Sequence, residues 1–191
     1  ISTNSFMSEL DIWVNLFISE RINQTGVFFM NIISNVFSVK VLAIISFVFI
    51  IYFIYKKQWR YSIITFLSVG LGLFLNALMK ELIMRIRPIS SAIIESGYSF
   101  PSGHATIVTI FFTLVIYFSL GSVKKLFYRE LIILSSVIVI LLVSFSRLYL
   151  GVHWLSDVIA GISFGLFWTT FIILLVKYLG MLSARFINYG K

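Results

Sequence analysis

Both histidines of the chain lie in short segments that also hold its unusual polar residues. His153 and Asp157 are four residues apart, so in a helix they would share one face. A carboxylate in that position can accept the imidazole N–H, fix the tautomer and leave the other ring nitrogen free to attack an electrophile. The spacing therefore predicts a histidine nucleophile that is oriented by an aspartate.

The other histidine, His104, follows Ser102 and Gly103 where a helix is predicted to begin. Exposed N–H groups at a helix start bind anions. Three cations in the same pair of segments could join this site: Lys80, Arg87 and Arg147. Cations and N–H donors select a phosphoryl group and stabilise charge on its oxygens. One histidine could then attack the phosphorus while the other protonates the leaving oxygen.

A simpler interpretation exists for some of these residues. Lys80 and Arg87 could extend to a membrane interface, as long basic side chains do at the ends of spans. Arg147 and Asp157 are harder to explain that way, since each borders an apolar stretch where an unpaired charge costs ~2.5 kcal/mol or more. The segments lack the further acidic or histidine ligands that Mg²⁺ or Zn²⁺ would need, so we expect no metal and no cofactor.

The elements that must position these residues are membrane helices. The 191 residues are 60% hydrophobic and 12% charged, whereas a soluble domain averages about 25% charged residues. The formal charge of +8 comes without a Lys/Arg-rich run, and the positive residues lie between apolar stretches. We therefore expect the lipid bilayer, and not a nucleic acid, as the partner of this surface.

Five apolar stretches approach the ~18 residues that a spanning helix needs. They are residues 41–55, 62–79, 105–120, 131–145 and 155–178. Residues 8–37 are amphipathic and predict a helix lying in the membrane interface. Gly161 and Gly165 form a GxxxG pattern, which predicts close helix packing. With no repeat or linker in view, the expected fold is a single all-α membrane helix bundle over residues 1–191.

The charges between the stretches predict an orientation. One set of loops holds nine basic residues and one acid, and the other holds six of each, so 9 − 1 = +8 lies entirely on one face. By the positive-inside rule that face is cytoplasmic, which puts both histidines on the exterior or periplasmic side of the cell membrane. Five spans then leave Ile1 outside, so we expect a sixth span upstream of it.

Three motifs resemble the signature of the type 2 phosphatidic acid phosphatase superfamily. They are Lys80-x6-Arg87-Pro88, then Pro101-Ser102-Gly103-His104, then Ser146-Arg147-x5-His153-x3-Asp157. Every signature position is matched in order, over residues 80–157. The superfamily also contains soluble haloperoxidases, a branch that the five spans exclude.

The resemblance implies a metal-independent membrane lipid phosphatase. His153 would form a phosphohistidine with the help of Asp157, and His104 would protonate the leaving group. The phosphoryl oxygens would be held by Lys80, Arg87, Ser102, Gly103 and Arg147. Three further residues are candidates for head-group contact, Arg85, Tyr98 and Trp154, although Trp154 could equally be an interface anchor.

The substrate is left open by the sequence. The family's bacterial members act on undecaprenyl pyrophosphate, phosphatidylglycerophosphate, lipid A phosphates or phosphatidic acid. An outward-facing site favours undecaprenyl pyrophosphate, with phosphatidylglycerophosphate second. A transporter or lipid-binding protein would use a similar polar cluster, but binding alone does not require a nucleophile.

Overall fold

The computed structural model describes residues 6–89 and 91–189, with side chains described as far as Met181. Throughout these ranges the regular structure is helical and no strand occurs. The elements are α1 (Phe6–Ser19), α2 (Gln24–Val36), α3 (Val39–Tyr55), α4 (Trp59–Phe66), a π-helical segment (Leu67–Leu71), α5 (Gly72–Ile83), α6 (Gly103–Ser122), α7 (Leu126–Tyr149) and α8 (Leu155–Tyr189). The predicted all-α class is confirmed.

The predicted number of spans is also confirmed. Within the described residues, five helical stretches are long and apolar enough to cross a membrane: Gln24–Tyr55, Trp59–Ile83, Gly103–Ser122, Leu126–Tyr149 and Leu155–Met181. Large apolar side chains such as Phe47, Leu141 and Phe167 remain exposed on the outside of the bundle. Such a surface suits lipid as its solvent, and the chain is a multi-pass membrane protein.

The N-terminal segment differs from the expectation of one interfacial helix over residues 8–37. It forms two helices, because α1 ends at Ser19 and the side chain of Asn23 caps α2 by accepting the Gly26 N–H at 2.7 Å. After a short break at Phe37, the Ser38 side chain caps α3. The second half of the segment therefore continues into the first candidate span, which at 32 residues is longer than the ~20 residues a bilayer needs.

Helix α6 lies at the centre of the bundle, packed on α3, α5, α7 and α8. From Ala105 to Phe111 every residue is buried, as expected for a helix that is apolar on all sides. The predicted close packing at Gly161 and Gly165 of α8 is present. A Cβ on Gly161 would lie 2.8 Å from the Ser102 carbonyl oxygen, and one on Gly165 would lie 2.9 Å from that of Thr106. Only glycine allows the two helices to approach so closely.

The second span is continuous despite its change of helical type. The π-helical segment Leu67–Leu71 joins α4 to α5, and the Trp168 indole of α8 donates to the Leu67 carbonyl at 3.3 Å. Such a segment leaves carbonyls without their usual partner, which a neighbouring donor can satisfy. The helix then delivers Lys80 to the end of the bundle where α6 and α8 begin and α7 ends.

Candidate active site

A cavity of about 380 Å³ lies at that end of the bundle. Its walls come from α3, α5, the loop between α5 and α6, the first turn of α6, and the loop that precedes α8. Five of the eight residues predicted for the site line it: Lys80, Arg87, Gly103, His104 and His153. The remaining three, Ser102, Arg147 and Asp157, lie behind the wall and contact residues around it.

His153 and Asp157 lie side by side, although not on one face of a helix as predicted, because α8 begins at Leu155 and His153 lies in the loop before it. Both side chains are buried, and Nδ1 of the imidazole lies 3.4 Å from Oδ2 of the carboxylate. This distance is long for a well-formed hydrogen bond, and Nδ1 has no closer acceptor among the described residues. The carboxylate is therefore positioned to orient the ring and to stabilise positive charge on it.

The proton on His153 can be assigned from its neighbours. Nη1 of Arg87 lies 3.3 Å from Nε2 of the imidazole, and a guanidinium can only donate. Nε2 must then carry the lone pair, while Nδ1 carries the proton and faces Asp157. The nitrogen that can attack a phosphorus atom is thus Nε2, which is beside the cation at the cavity wall.

Burial keeps the His153 imidazole neutral. Loss of solvent lowers its pKa from 6.5 to about 3, and its pairing with the Asp157 carboxylate opposes the shift. The positive charges of Arg147 and Arg87 lower the pKa further. A neutral imidazole is the nucleophilic form, so the surroundings hold this side chain ready to react at ordinary pH.

Asp157 is fixed by groups on both of its oxygens. Oδ2 accepts the Trp154 backbone N–H at 2.9 Å, the arrangement by which a side chain near the start of a helix caps its first turn. Oδ1 accepts from Arg85 at 2.6 Å. Its backbone carbonyl also accepts the Ser102 N–H at 3.0 Å, which ties the start of α8 to the start of α6.

A second carboxylate, from the N-terminal helix, binds the same Arg85 side chain as Asp157. Asp11 of α1 is 2% exposed and accepts from Nη2 of Arg85 at 2.6 Å. It also accepts from the backbone N–H and the hydroxyl of Ser156, at 2.8 and 2.6 Å. Arg85 therefore bridges two buried carboxylates, Asp11 and the Asp157 side chain that lies beside the His153 imidazole. No motif or spacing in the sequence connects Asp11 with the site.

The two motif-bearing loops are joined through backbone carbonyls. Arg87 donates to the Val152 carbonyl at 2.8 Å, and the Trp154 indole donates to the Ile86 carbonyl at 2.9 Å. Lys80 donates to the Tyr98 carbonyl at 2.7 Å. These bonds hold cations from one loop beside the histidine of the other. Lys80 also donates to the Ser99 carbonyl at 3.3 Å, and Arg87 also donates to the Gly97 and Ser96 carbonyls at 2.9 and 3.2 Å. Among the described residues, each cation then has one N–H left without a hydrogen bond, and that of Arg87 is on Nη2, which faces Glu95.

The second histidine begins the central helix. The Ser102 side chain caps α6 by accepting the Ala105 N–H at 3.5 Å, which leaves its O–H free to donate. Gly103 and His104 are the first helical residues, and both line the cavity. N–H groups in a first turn have no acceptor within the helix. The backbone at Gly103 thus offers a donor to an anion in the cavity.

Arg147 is placed differently from the other predicted cations. Its side chain is 2% exposed, it donates to the Ser34 hydroxyl of α2, and it forms an ion pair with Glu95. Glu95 lines the cavity and also lies 3.7 Å from Arg87. A carboxylate from the loop thus stands between Arg147 and the cavity.

The three candidates for head-group contact separate in the structure. Tyr98 lines the cavity, whereas Trp154 and Arg85 are bonded to protein groups as described above.

The sequence analysis missed one cavity residue, Asn76 of α5, whose amide donates to the Thr106 hydroxyl at 2.9 Å. A lone amide in an apolar span is a signal that could have identified Asn76 from the sequence.

Among the described residues, no three His, Asp or Glu side chains group closely enough to hold a metal ion.

The fold and the site define a class of protein. A family model described as the PAP2 superfamily matches residues 61–181, which are more than half of the chain. The chain belongs to this superfamily, and the resemblance drawn from the three motifs is confirmed.

Three curated proteins show the range of its relatives. Phosphatidylglycerophosphatase B of Bacillus subtilis (strain 168) is 34% identical over 116 residues, which are 60% of this chain and 57% of that protein. An undecaprenyl-diphosphatase of Sulfolobus acidocaldarius is 31% identical over 66% of this chain and 60% of its own length. A dolichyldiphosphatase of Saccharomyces cerevisiae is 31% identical over 81% and 69%. The chain thus spans less than two thirds of the first two relatives.

A solved structure resembles the whole bundle. The crystal structure of a transmembrane PAP2 type phosphatidylglycerolphosphate phosphatase from Bacillus subtilis superimposes with a TM-score of 0.78 at 25% identity, covering 93% of this chain and 88% of that one. The helical arrangement is therefore shared along almost the full length of both chains.

Proposed function

We propose that this protein hydrolyses a phosphomonoester or pyrophosphate on a membrane lipid through a phosphohistidine intermediate. The observation that carries the proposal is the placement of His153. Its Nε2 lies 3.3 Å from Nη1 of Arg87, a donor that favours the unprotonated form of this nitrogen, at a cavity that Lys80, Gly103 and His104 also line. A nucleophile, phosphate-binding groups and a second histidine are the parts that this chemistry needs.

In the first step, Nε2 of His153 attacks the terminal phosphorus and a P–N bond forms. The bond from phosphorus to the lipid-side oxygen breaks, and that oxygen takes a proton from His104, which must hold this proton while the anionic phosphoryl group is bound. Lys80, Arg87 and the Gly103 N–H stabilise the charge that develops on the phosphoryl oxygens. Asp157 stabilises the positive charge that His153 acquires.

In the second step, water replaces the histidine. His104, now neutral, takes a proton from the attacking water, and the P–N bond breaks to release inorganic phosphate. This proton returns His104 to its imidazolium form, so one residue serves as acid and then as base. The chemistry uses no metal ion and no cofactor.

The first candidate for the substrate is undecaprenyl pyrophosphate, and the second is phosphatidylglycerophosphate. The named relatives support both, because one is an undecaprenyl-diphosphatase and another a phosphatidylglycerophosphatase. The charge distribution favours the first. By the positive-inside rule it supports a site on the outer face of the cell membrane, where a lipid pyrophosphate released by cell-wall synthesis would be available.

The deciding experiment measures phosphate release by the purified protein in detergent with EDTA present. The lipids compared are undecaprenyl pyrophosphate, phosphatidylglycerophosphate, phosphatidic acid and a lipid A phosphate. We expect turnover of at least one lipid, the highest kcat/KM for undecaprenyl pyrophosphate, and inhibition by vanadate. His153→Ala should reduce kcat by about 100-fold or more, because it removes the nucleophile.

Each part of the proposal can fail separately. A higher kcat/KM for phosphatidylglycerophosphate would reverse the substrate order. Activity lost in EDTA and restored by Mg²⁺ would refute the metal-independent mechanism. Lipid binding without phosphate release would indicate a transporter or binding protein, and a fully active His153→Ala variant would exclude the phosphohistidine.

A further inference from the structure

Glu95 occupies an unusual position for an acidic residue. Its carboxylate lines the cavity, pairs with Arg147 and lies 3.7 Å from Nη2 of Arg87. A phosphoryl group in the cavity would bind the guanidinium groups of Arg87 and Arg147, since Arg binds carboxylates and phosphates with the same planar set of donors. Glu95 and a phosphate are therefore competing anions for one pair of cations.

The surroundings of Arg147 support this competition. Its guanidinium is almost fully buried, with one nitrogen bonded to Ser34 and another to Glu95. Nε has no hydrogen-bond partner within the described part of the chain. A buried donor without an acceptor is costly, and a phosphate oxygen would satisfy it. Arg147 can reach a phosphoryl group only if the Glu95 carboxylate moves aside.

A matched carboxylate is available in the same cavity. Glu81 of α5 also lines it, but no ion pair of Glu81 is present among the described residues. Removing the charge of Glu81 therefore changes the overall electrostatics of the cavity without freeing a cation. Comparing variants at Glu81 and Glu95 therefore separates a general effect of charge on phosphate affinity from specific competition for Arg147.

We propose that Glu95 is a positioning residue that holds Arg147 until a phosphoryl group displaces it, and that its return promotes the release of inorganic phosphate. The proposal rests on the function given above, because it assigns the displaced position to the phosphate. The carboxylate makes every phosphate bind more weakly, which protects the enzyme from retention of its own product. The substrate phosphoryl group contacts Arg147 only after this group has displaced the Glu95 carboxylate.

The test uses inorganic phosphate as the probe and the full chain in detergent. Two measurements are made on wild type, Glu95→Gln and Glu81→Gln: the phosphate-induced rise in unfolding temperature, and the inhibition constant of phosphate in the turnover assay. We expect Glu95→Gln to bind phosphate about tenfold to a hundredfold more tightly than wild type, and clearly more tightly than Glu81→Gln. KM should fall with the inhibition constant, since both report ground-state binding.

A purely structural role for Glu95 predicts the opposite result. If Glu95 only held the arginines in place, its removal would weaken phosphate binding, and that outcome, or equal affinity in the two variants, refutes the proposal. If Glu95→Gln does not fold, Glu95→Asp replaces it, because a shorter carboxylate reaches Arg147 less well. That variant should also bind phosphate more tightly than wild type. Wild type that binds no phosphate at all would overturn the proposed function as well.

Discussion

Replacing Asp11 by Asn removes a buried charge from the N-terminal helix, far along the chain from the catalytic motifs. The carboxylate accepts three hydrogen bonds, one from Arg85 and two from Ser156. Arg85 in turn bonds to Asp157, the residue that we propose orients His153. We therefore expect the substitution to lower both stability and turnover, although Asp11 itself does not line the cavity.

The magnitude follows from the bonds that change. A hydrogen bond to a charged group contributes about 1.5–3 kcal/mol, and a neutral one about 0.5–1.5 kcal/mol. Asn retains one oxygen for Ser156 but meets Arg85 without a charge. Since the Arg85 side chain is 24% exposed, water recovers part of the loss, and we expect destabilisation of about 2 kcal/mol. Asp11→Ala, which loses all three bonds, should cost about 3–5 kcal/mol.

The loss of turnover should appear mainly in kcat. When Arg85 is held from one side only, Asp157 and the His153 ring are less precisely placed, and a small misplacement of a reacting group is costly. We expect a decrease in kcat of about tenfold with KM little changed. The assays are phosphate release and thermal unfolding in the same detergent.

The control is Glu9→Gln, an equal change of charge at an exposed position on the same helix. It should resemble wild type in both assays. If Asp11→Asn also resembled wild type, the hydrogen bonds that link α1 through Arg85 to Asp157 would contribute neither to stability nor to turnover. A drop in stability with unchanged kcat would show that α1 supports the fold but does not position the nucleophile.

Two further predictions concern pH and sidedness. Burial holds the pKa of His153 near 3 in the folded protein. Below pH 6.5 this side chain therefore binds a proton in the unfolded chain but not in the folded one, so the free energy of unfolding falls as pH decreases from 6.5. By pH 5 wild type should lose about 2 kcal/mol more than His153→Gln in thermal unfolding. Parallel pH curves for the two proteins would contradict the lowered pKa. Because the chain has no cysteine, Ser91→Cys and Ser122→Cys test the orientation: a membrane-impermeant thiol reagent on intact cells should label position 91 and spare position 122. The reverse pattern would overturn the outward-facing site.

The sequence determined the features that depend on local spacing and composition. Five apolar stretches predicted five spans, because a segment of suitable length and hydropathy has little alternative to crossing the bilayer. The short spacing of His153 and Asp157 predicted that they meet, because residues four apart stay close where a chain turns into a helix. The helix repeat is not the cause, since α8 begins at Leu155 and His153 lies in the loop before it. Gly161 and Gly165 likewise predicted close packing, which is a property of their missing Cβ atoms.

The tertiary structure decided which charged groups meet. Asp11 and Ser156 are 145 residues apart, and no periodicity links an acid on an amphipathic helix to the start of the last span. No periodicity predicts the ion pair between Glu95 and Arg147 either. Because of this ion pair, Arg147 differs from the other predicted phosphate-binding residues. Local spacing fixes which face of a helix a residue occupies. The partner it finds there depends on how the helices pack, and in a low-dielectric interior each buried charge must be matched by whatever opposite charge that packing brings near.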